Sequence, residues 1–119
     1  MKNPVFPPDA AKPLAPYTPA IESGGFLFLS GQIALDAEGN LHTSDIATET
    51  RKVMDNIGTL LRAAGLSYEH LVKVTIFLSD MAHYAAVNEV YAGYVGEVPP
   101  AREAVAVKGL PRGVNVEIS

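Results

Sequence analysis

The sequence predicts an α+β domain in which two helices cover one face of a β-sheet. Three observations carry this expectation. Two segments repeat apolar residues at three- to four-residue spacing, and several others alternate apolar with polar residues or run apolar between turn signals. The 119 residues show no internal repeat or low-complexity segment, which is the length of a single domain able to build a core without disulfide staples.

Taken in order, residues 1–19 read as an extended arm, because 4–19 hold six of the nine prolines and proline fixes φ while removing a donor. Phe26 to Ile33 reads as a strand, and Gly24-Gly25 before it closes a hairpin with the segment from Pro19 to Glu22. A second turn falls at Asp36 to Asn40. Ile46, Thr50, Val53, Met54, Ile57, Leu60, Leu61 and Ala64 form one stripe of a first helix. Ser44 or Asp45 can cap its start, and Gly65 can end it. Leu71 to Leu78 alternates as a strand. Asp80 caps a second helix, whose Tyr84, Val87, Asn88, Tyr91 and Val95 share a face. Strands at 101–108 and 114–118 follow, joined by a loop holding Leu110-Pro111-Arg112-Gly113.

Composition narrows the chemistry. No cysteine is present, which excludes disulfides, thiolate metal sites and a cysteine nucleophile, and fits a reducing, cytoplasmic location. His42, His70 and His83 are scattered and give no ligand-spaced pair, so no metal site is expected. A net charge of −4 offers no basic footprint for nucleic acid. No window approaches the ~20 apolar residues of a membrane span, and Met1-Lys2-Asn3-Pro4 does not begin a signal peptide.

Side-chain alternation sorts the strands into two faces. Leu27, Leu29 and Ile33, Val72 to Leu78 at even numbers, Val105 and Val107, and Val114, Val116 and Ile118 are assigned to the helix side. The opposite face then carries Phe26, Phe28, Ser30, Gln32, Thr75, Phe77, Arg102, Ala104, Ala106, Asn115 and Glu117. That second face is too apolar to stand bare, so self-association through it is expected. Arg102 is the most telling residue there, because an unpartnered buried guanidinium costs several kcal/mol. Two readings stay open: an ion pair between Arg102 and Glu117 across the sheet, or a site where Arg102 meets an anionic ligand, whose carboxylate its planar fork suits.

The order and spacing of several segments resemble the RidA/YjgF family of reactive intermediate (enamine/imine) deaminases over nearly the whole chain. The carriers are Ala15-Pro16-Tyr17-Thr18-Pro19-Ala20, Phe28-Leu29-Ser30-Gly31-Gln32-Ile33, Asn56, Ala63-Ala64-Gly65, and Val72 to Leu78. Asn88-Glu89-Val90-Tyr91, Pro100-Ala101-Arg102, Leu110-Pro111 and Val116-Glu117-Ile118 complete the pattern. The resemblance implies a chorismate-mutase-like fold, with a mixed six-stranded sheet and two helices on one face, assembled as a homotrimer with clefts between subunits. It implies hydrolysis of 2-imino acids such as 2-iminopropanoate and 2-iminobutanoate to 2-keto acids and ammonia, without a cofactor. By position, Arg102 would clamp the substrate carboxylate and Glu117 would orient water. Tyr17, Ser30, Gly31 and Asn88 would line the cleft, with Ala104 beside them.

Three departures from the family pattern stand out. Glu103-Ala104 replaces a common Ser-Cys pair, which would enlarge the pocket at Ala104 and leave Glu103 at a sheet edge or surface. Ala15 stands where glycine usually precedes Pro-Tyr. Relatives usually continue the last strand for several residues past the position of Ser119, so a weaker strand and a less firmly placed Glu117 are expected.

Other readings of single residues stand beside these. Tyr17 could cap a hydrophobic edge, Ser30 could satisfy a backbone group, and Asn88 could clamp structure rather than substrate. Asn56 reads as structural and Gly58 as a point of close packing. For the whole chain, the alternatives are a non-catalytic trimer that binds small carboxylates, and a deaminase of a different enamine. A ribonuclease activity, ascribed to relatives, fits poorly with the acidic charge.

Overall fold

The computed structural model describes residues 1–8, 13 and 15–119. The elements run β1 (Asn3–Val5), β2 (Ala20–Ser23), β3 (Phe26–Leu29), α1 (Ile46–Ala63), β4 (Lys73–Leu78), α2 (Tyr84–Val95), β5 (Ala101–Ala106) and β6 (Val116–Ile118). The expected arm is part strand: β1 pairs antiparallel with β2 at the outer edge, where Pro4 needs no ladder donor. Residues 9–12 and 14 of the arm lie outside the described residues.

The β2–β3 hairpin turns at Gly24 and Gly25, whose φ of 61° and 83° is the left-handed pair that a two-residue turn requires. β3 stops at Leu29, short of the expected Ile33. Ser30 N–H still bonds the Pro19 carbonyl, whereas Gln32 N–H and C=O pair with Ile118, so the chain changes neighbours across Ser30-Gly31.

α1 has the cap its sequence announced. The Asp45 carboxylate accepts from Thr48 N–H at 2.7 Å, and Gly65 follows the helix with φ 75°. Its apolar stripe is buried, with Val53, Met54, Ile57, Leu60 and Leu61 at 3% exposure or less. Asp80 caps a short 3-10 turn over 81–83 that leads into α2. Gly58 and Asn56 act as anticipated. A Cβ at Gly58 would lie 2.2 Å from the Tyr68 hydroxyl oxygen, and Asn56 Nδ2 donates to the Ile33 and Leu35 carbonyls.

The expected single six-stranded sheet is instead two three-stranded sheets, β1-β2-β3 and β5-β4-β6, joined by the Gln32–Ile118 bridge. Strand directions are mixed, since β5 runs parallel to β4 and β6 antiparallel. Both helices pack on the side carrying Val74, Ile76, Leu78, Val116 and Ile118. β6 begins two residues later than expected because its entry is held by α1. The buried Glu49 carboxylate takes the N–H groups of Asn115 and Val116 at 2.7 and 2.9 Å and Asn115 Nδ2 at 3.1 Å. This triple contact fixes the strand that carries Glu117.

Candidate functional site

The strand register reverses one sequence assignment. Arg102 and Ala104 lie opposite Val74 and Ile76, so they face the helices, whereas Glu103 and Val105 lie opposite Thr75 and Phe77 on the open side. The expectation that Val105 faced the core rested on its alternation with Val107 in an apolar run. β5 is an edge strand beside β4: Ala104 packs against the core, while Val105 is 42% exposed. Glu103 meets Lys73 Nζ and Thr75 Oγ1 on the open face.

Arg102 is half-buried and held from α2. Its Nη2 donates to Asn88 Oδ1 at 2.6 Å and to the Tyr84 hydroxyl at 3.2 Å. The guanidinium carbon stands 5.6 Å from the Tyr84 ring centroid and 5.0 Å from that of Tyr91, within cation–π range. No carboxylate pairs with Arg102 among the described residues. Its bonds to neutral oxygens use one terminal nitrogen, which leaves the rest of the fork for an anion. Asn88 is thereby a clamp on the arginine. The expected face of Tyr84, Asn88 and Tyr91 forms, but the tyrosines' role as the arginine's cage was missed in the sequence. The signal was present in their spacing of four and three residues around Asn88 on one helix.

Glu117 lies elsewhere. Its register partner is Phe77, so it projects from the face opposite to Arg102. The ion pair between them that the sequence left open does not form within one chain. Glu117 borders a cleft of about 320 Å³ lined by Tyr17, Ser30, Gly31, Asn56 and Pro111 among others. Burial disfavours its charge and raises its pKa above the usual 4.5.

Gly31 leaves the carboxylate its space: a Cβ there would sit 2.1 Å from Glu117 Oε2. Ser30 Oγ donates to the Thr18 carbonyl at 2.6 Å, pinning the arm to the sheet and leaving the oxygen free to accept. Tyr17 is 43% exposed at the cleft mouth. Ala104 shares the face of Arg102 but faces core rather than cleft.

The structure therefore holds two separate half-sites on opposite faces of one sheet. One is a cation without a carboxylate, cradled by Asn88 and two tyrosines. The other is a partly desolvated acid in a cleft with Tyr17, Ser30 and Gly31.

The chain is similar to known proteins over nearly its whole length. The family model described as endoribonuclease L-PSP matches residues 8–119. The RutC family protein PH0854 of Pyrococcus horikoshii is 48% identical over 119 residues, covering 99% of this chain and 94% of the relative. Among solved structures, RidA from the Antarctic bacterium Psychrobacter sp. is 32% identical with a TM-score of 0.93, covering 98% of this chain and 94% of that one. Escherichia coli TdcF with bound serine is 30% identical with a TM-score of 0.91 and the same coverage.

Proposed function

The chain belongs to the endoribonuclease L-PSP family, which includes the RidA/YjgF proteins, and from that premise we propose that it is a hydrolytic deaminase of small 2-imino acids. The observation that carries the reading is Arg102: a half-buried cation, positioned by three side chains and met by no carboxylate among the described residues. A substrate carboxylate would supply the missing anion in bidentate geometry. The serine bound in the TdcF structure is a ligand of that carboxylate class.

In the proposed reaction, Arg102 anchors 2-iminopropanoate or 2-iminobutanoate, and Glu117 accepts a proton from the attacking water. Water oxygen bonds to C2 as the C=N π pair moves to nitrogen. Glu117 returns its proton to that nitrogen, the C–N bond then breaks to release ammonia, and the hydroxyl gives up its proton to become the 2-keto carbonyl. A raised carboxylate pKa brings a general base nearer to its working pH. The iminium carbon is already electrophilic, so orientation and a placed water suffice without a covalent nucleophile or cofactor.

Arg102 and Glu117 occupy opposite faces of one sheet, so the reaction needs the arginine of one subunit beside the acid of another. A homotrimer with sites at its seams meets this need. The open face supports association, since Phe26 and Phe28 are 60% and 59% exposed there.

The test couples the protein to a threonine dehydratase with semicarbazide present as imine trap, and follows keto-acid release. Arg102→Ala and Glu117→Gln should each lose turnover, and light scattering should give three times the monomer mass. Unfolding and refolding the two variants together should restore part of the activity, because mixed trimers hold seams with both native residues. Wild-type turnover by Arg102→Ala, or no recovery on mixing, refutes the site.

The serine-bound relative also favours a second reading, a trimer that binds small carboxylates without turning them over. In that case wild type binds a keto acid through Arg102, shows no turnover, and Glu117→Gln binds equally well.

A further inference from the structure

The N–H groups of Arg102 lie in one plane, and their present use constrains how a carboxylate can reach them. Nη2 carries two hydrogens, and both are engaged: one by Asn88 Oδ1 at 2.6 Å, the other by the Tyr84 hydroxyl oxygen at 3.2 Å. Nη1 and Nε make no hydrogen bond among the described residues. A carboxylate takes a guanidinium in one of two paired ways, end-on through Nη1 and Nη2 or side-on through Nε and Nη2. Each way uses one Nη2 hydrogen. A bidentate grip on Arg102 therefore requires one of the two neutral acceptors to let go.

The acceptors are not equal. The Asn88 bond is short and half-buried, and Asn88 stands on the second turn of α2. The Tyr84 bond is longer and exposed. Tyr84 opens α2 and is 40% exposed, so its side chain is free to swing. Its ring is also the more distant from the guanidinium carbon, at 5.6 Å against 5.0 Å for Tyr91. Tyr84 is thus the one to yield. Its hydroxyl accepts from Arg102 and donates to no described residue, so its own proton is unspent. Rotation about the C–O bond can turn that proton toward the anion that displaced it.

We propose that Tyr84 is a substrate-binding residue that exchanges roles: its oxygen holds an Nη2 hydrogen of Arg102 until a 2-imino acid arrives, and its O–H then donates to the substrate carboxylate. This rests on the reading of Arg102 as the carboxylate anchor. The exchange trades one bond from Arg102 to a neutral oxygen for two bonds that end on a charged one, from Nη2–H and from the Tyr84 O–H. Bonds to charged groups are the stronger kind. Between turnovers the hydroxyl keeps the guanidinium satisfied and its fork aimed.

The test measures binding of 2-oxobutanoate, a keto acid that shares the substrate's carboxylate, to the full chain by calorimetry. Tyr84→Phe keeps the ring beside the guanidinium and removes only the hydroxyl. It should bind at least ~10-fold more weakly, as the loss of one hydrogen bond to a charged group requires. The uncharged 2-oxobutanamide should lose less than ~3-fold on the same substitution, because it brings no charged oxygen to the hydroxyl. Arg102→Ala should abolish 2-oxobutanoate binding. The sign of the Tyr84→Phe effect is decisive, since removing the hydroxyl also frees the Nη2 hydrogen it holds. Tighter binding would make the hydroxyl a competitor for the arginine, equal binding would make it a bystander, and equal losses for both probes would mark a structural effect. Each of these overturns the exchange and leaves Arg102 as the anchor. Arg102→Ala binding as wild type does, or no binding by wild type, removes the underlying reading and the exchange with it.

Discussion

Removing the Glu49 carboxylate tests how the acid-bearing strand is held. Glu49 is fully buried and accepts three hydrogen bonds, two of them from the N–H groups of Asn115 and Val116 converging on Oε2. In Glu49→Ala both N–H groups lose their acceptor in a buried place, at about 1–3 kcal/mol each. Part of this is offset, because the folded protein no longer desolvates a carboxylate. Two orphaned N–H groups less that offset leave a net loss of about 3 kcal/mol. Glu49→Gln keeps an oxygen where the two N–H groups converge and loses only the Asn115 Nδ2 bond and the charge assistance, so about 1 kcal/mol is expected. Urea unfolding should rank wild type above Gln above Ala. At roughly 4 °C per kcal/mol for a chain of this size, the Ala variant should melt ~12 °C lower. A loss below about 1 kcal/mol for Glu49→Ala would show that β6 is seated by its ladder alone, and would refute the reasoning.

Three further substitutions probe the half-sites. Gly31→Ala puts a methyl 2.1 Å from Glu117 Oε2, a flexible side-chain end that can swing away, so stability should fall by only about 1 kcal/mol while turnover falls at least ~10-fold. Equal turnover would mean that the carboxylate's position is immaterial. Glu117→Gln should cut turnover at least ~100-fold. Because burial raises the Glu117 pKa, its stabilising contribution is present below the ordinary 4.5 and lost as pH rises through the folded value. The acid limb of kcat/KM should accordingly lie above the ordinary carboxylate range, and the Gln variant should unfold at higher urea than wild type at neutral pH; an acid limb at or below 4.5 would contradict the desolvated setting. Tyr91→Phe removes a buried hydroxyl that has no hydrogen-bond partner among the described residues and should raise stability by about 1 kcal/mol; a loss instead would reveal a partner for that oxygen.

Much of the fold could be read from local rules. The α1 stripe, its Asp45 cap and Gly65 stop, the Gly24-Gly25 turn, and the alternation of β4 depend on neighbours within a few residues, and all appear as expected. That Arg102 would be withdrawn in part from solvent was also legible, because it sits in an apolar, strand-like run. What the sequence left to tertiary structure was pairing. The side to which β5 turns depends on a one-residue choice of register against β4, and Ala104 and Val105 are both apolar, so composition could not separate them. That register put Arg102 and Glu117 on opposite faces and made a second subunit necessary for the proposed chemistry. The split of the expected single sheet and the burial of Glu49 beneath β6 arise from contacts across dozens of residues, which no local pattern encodes.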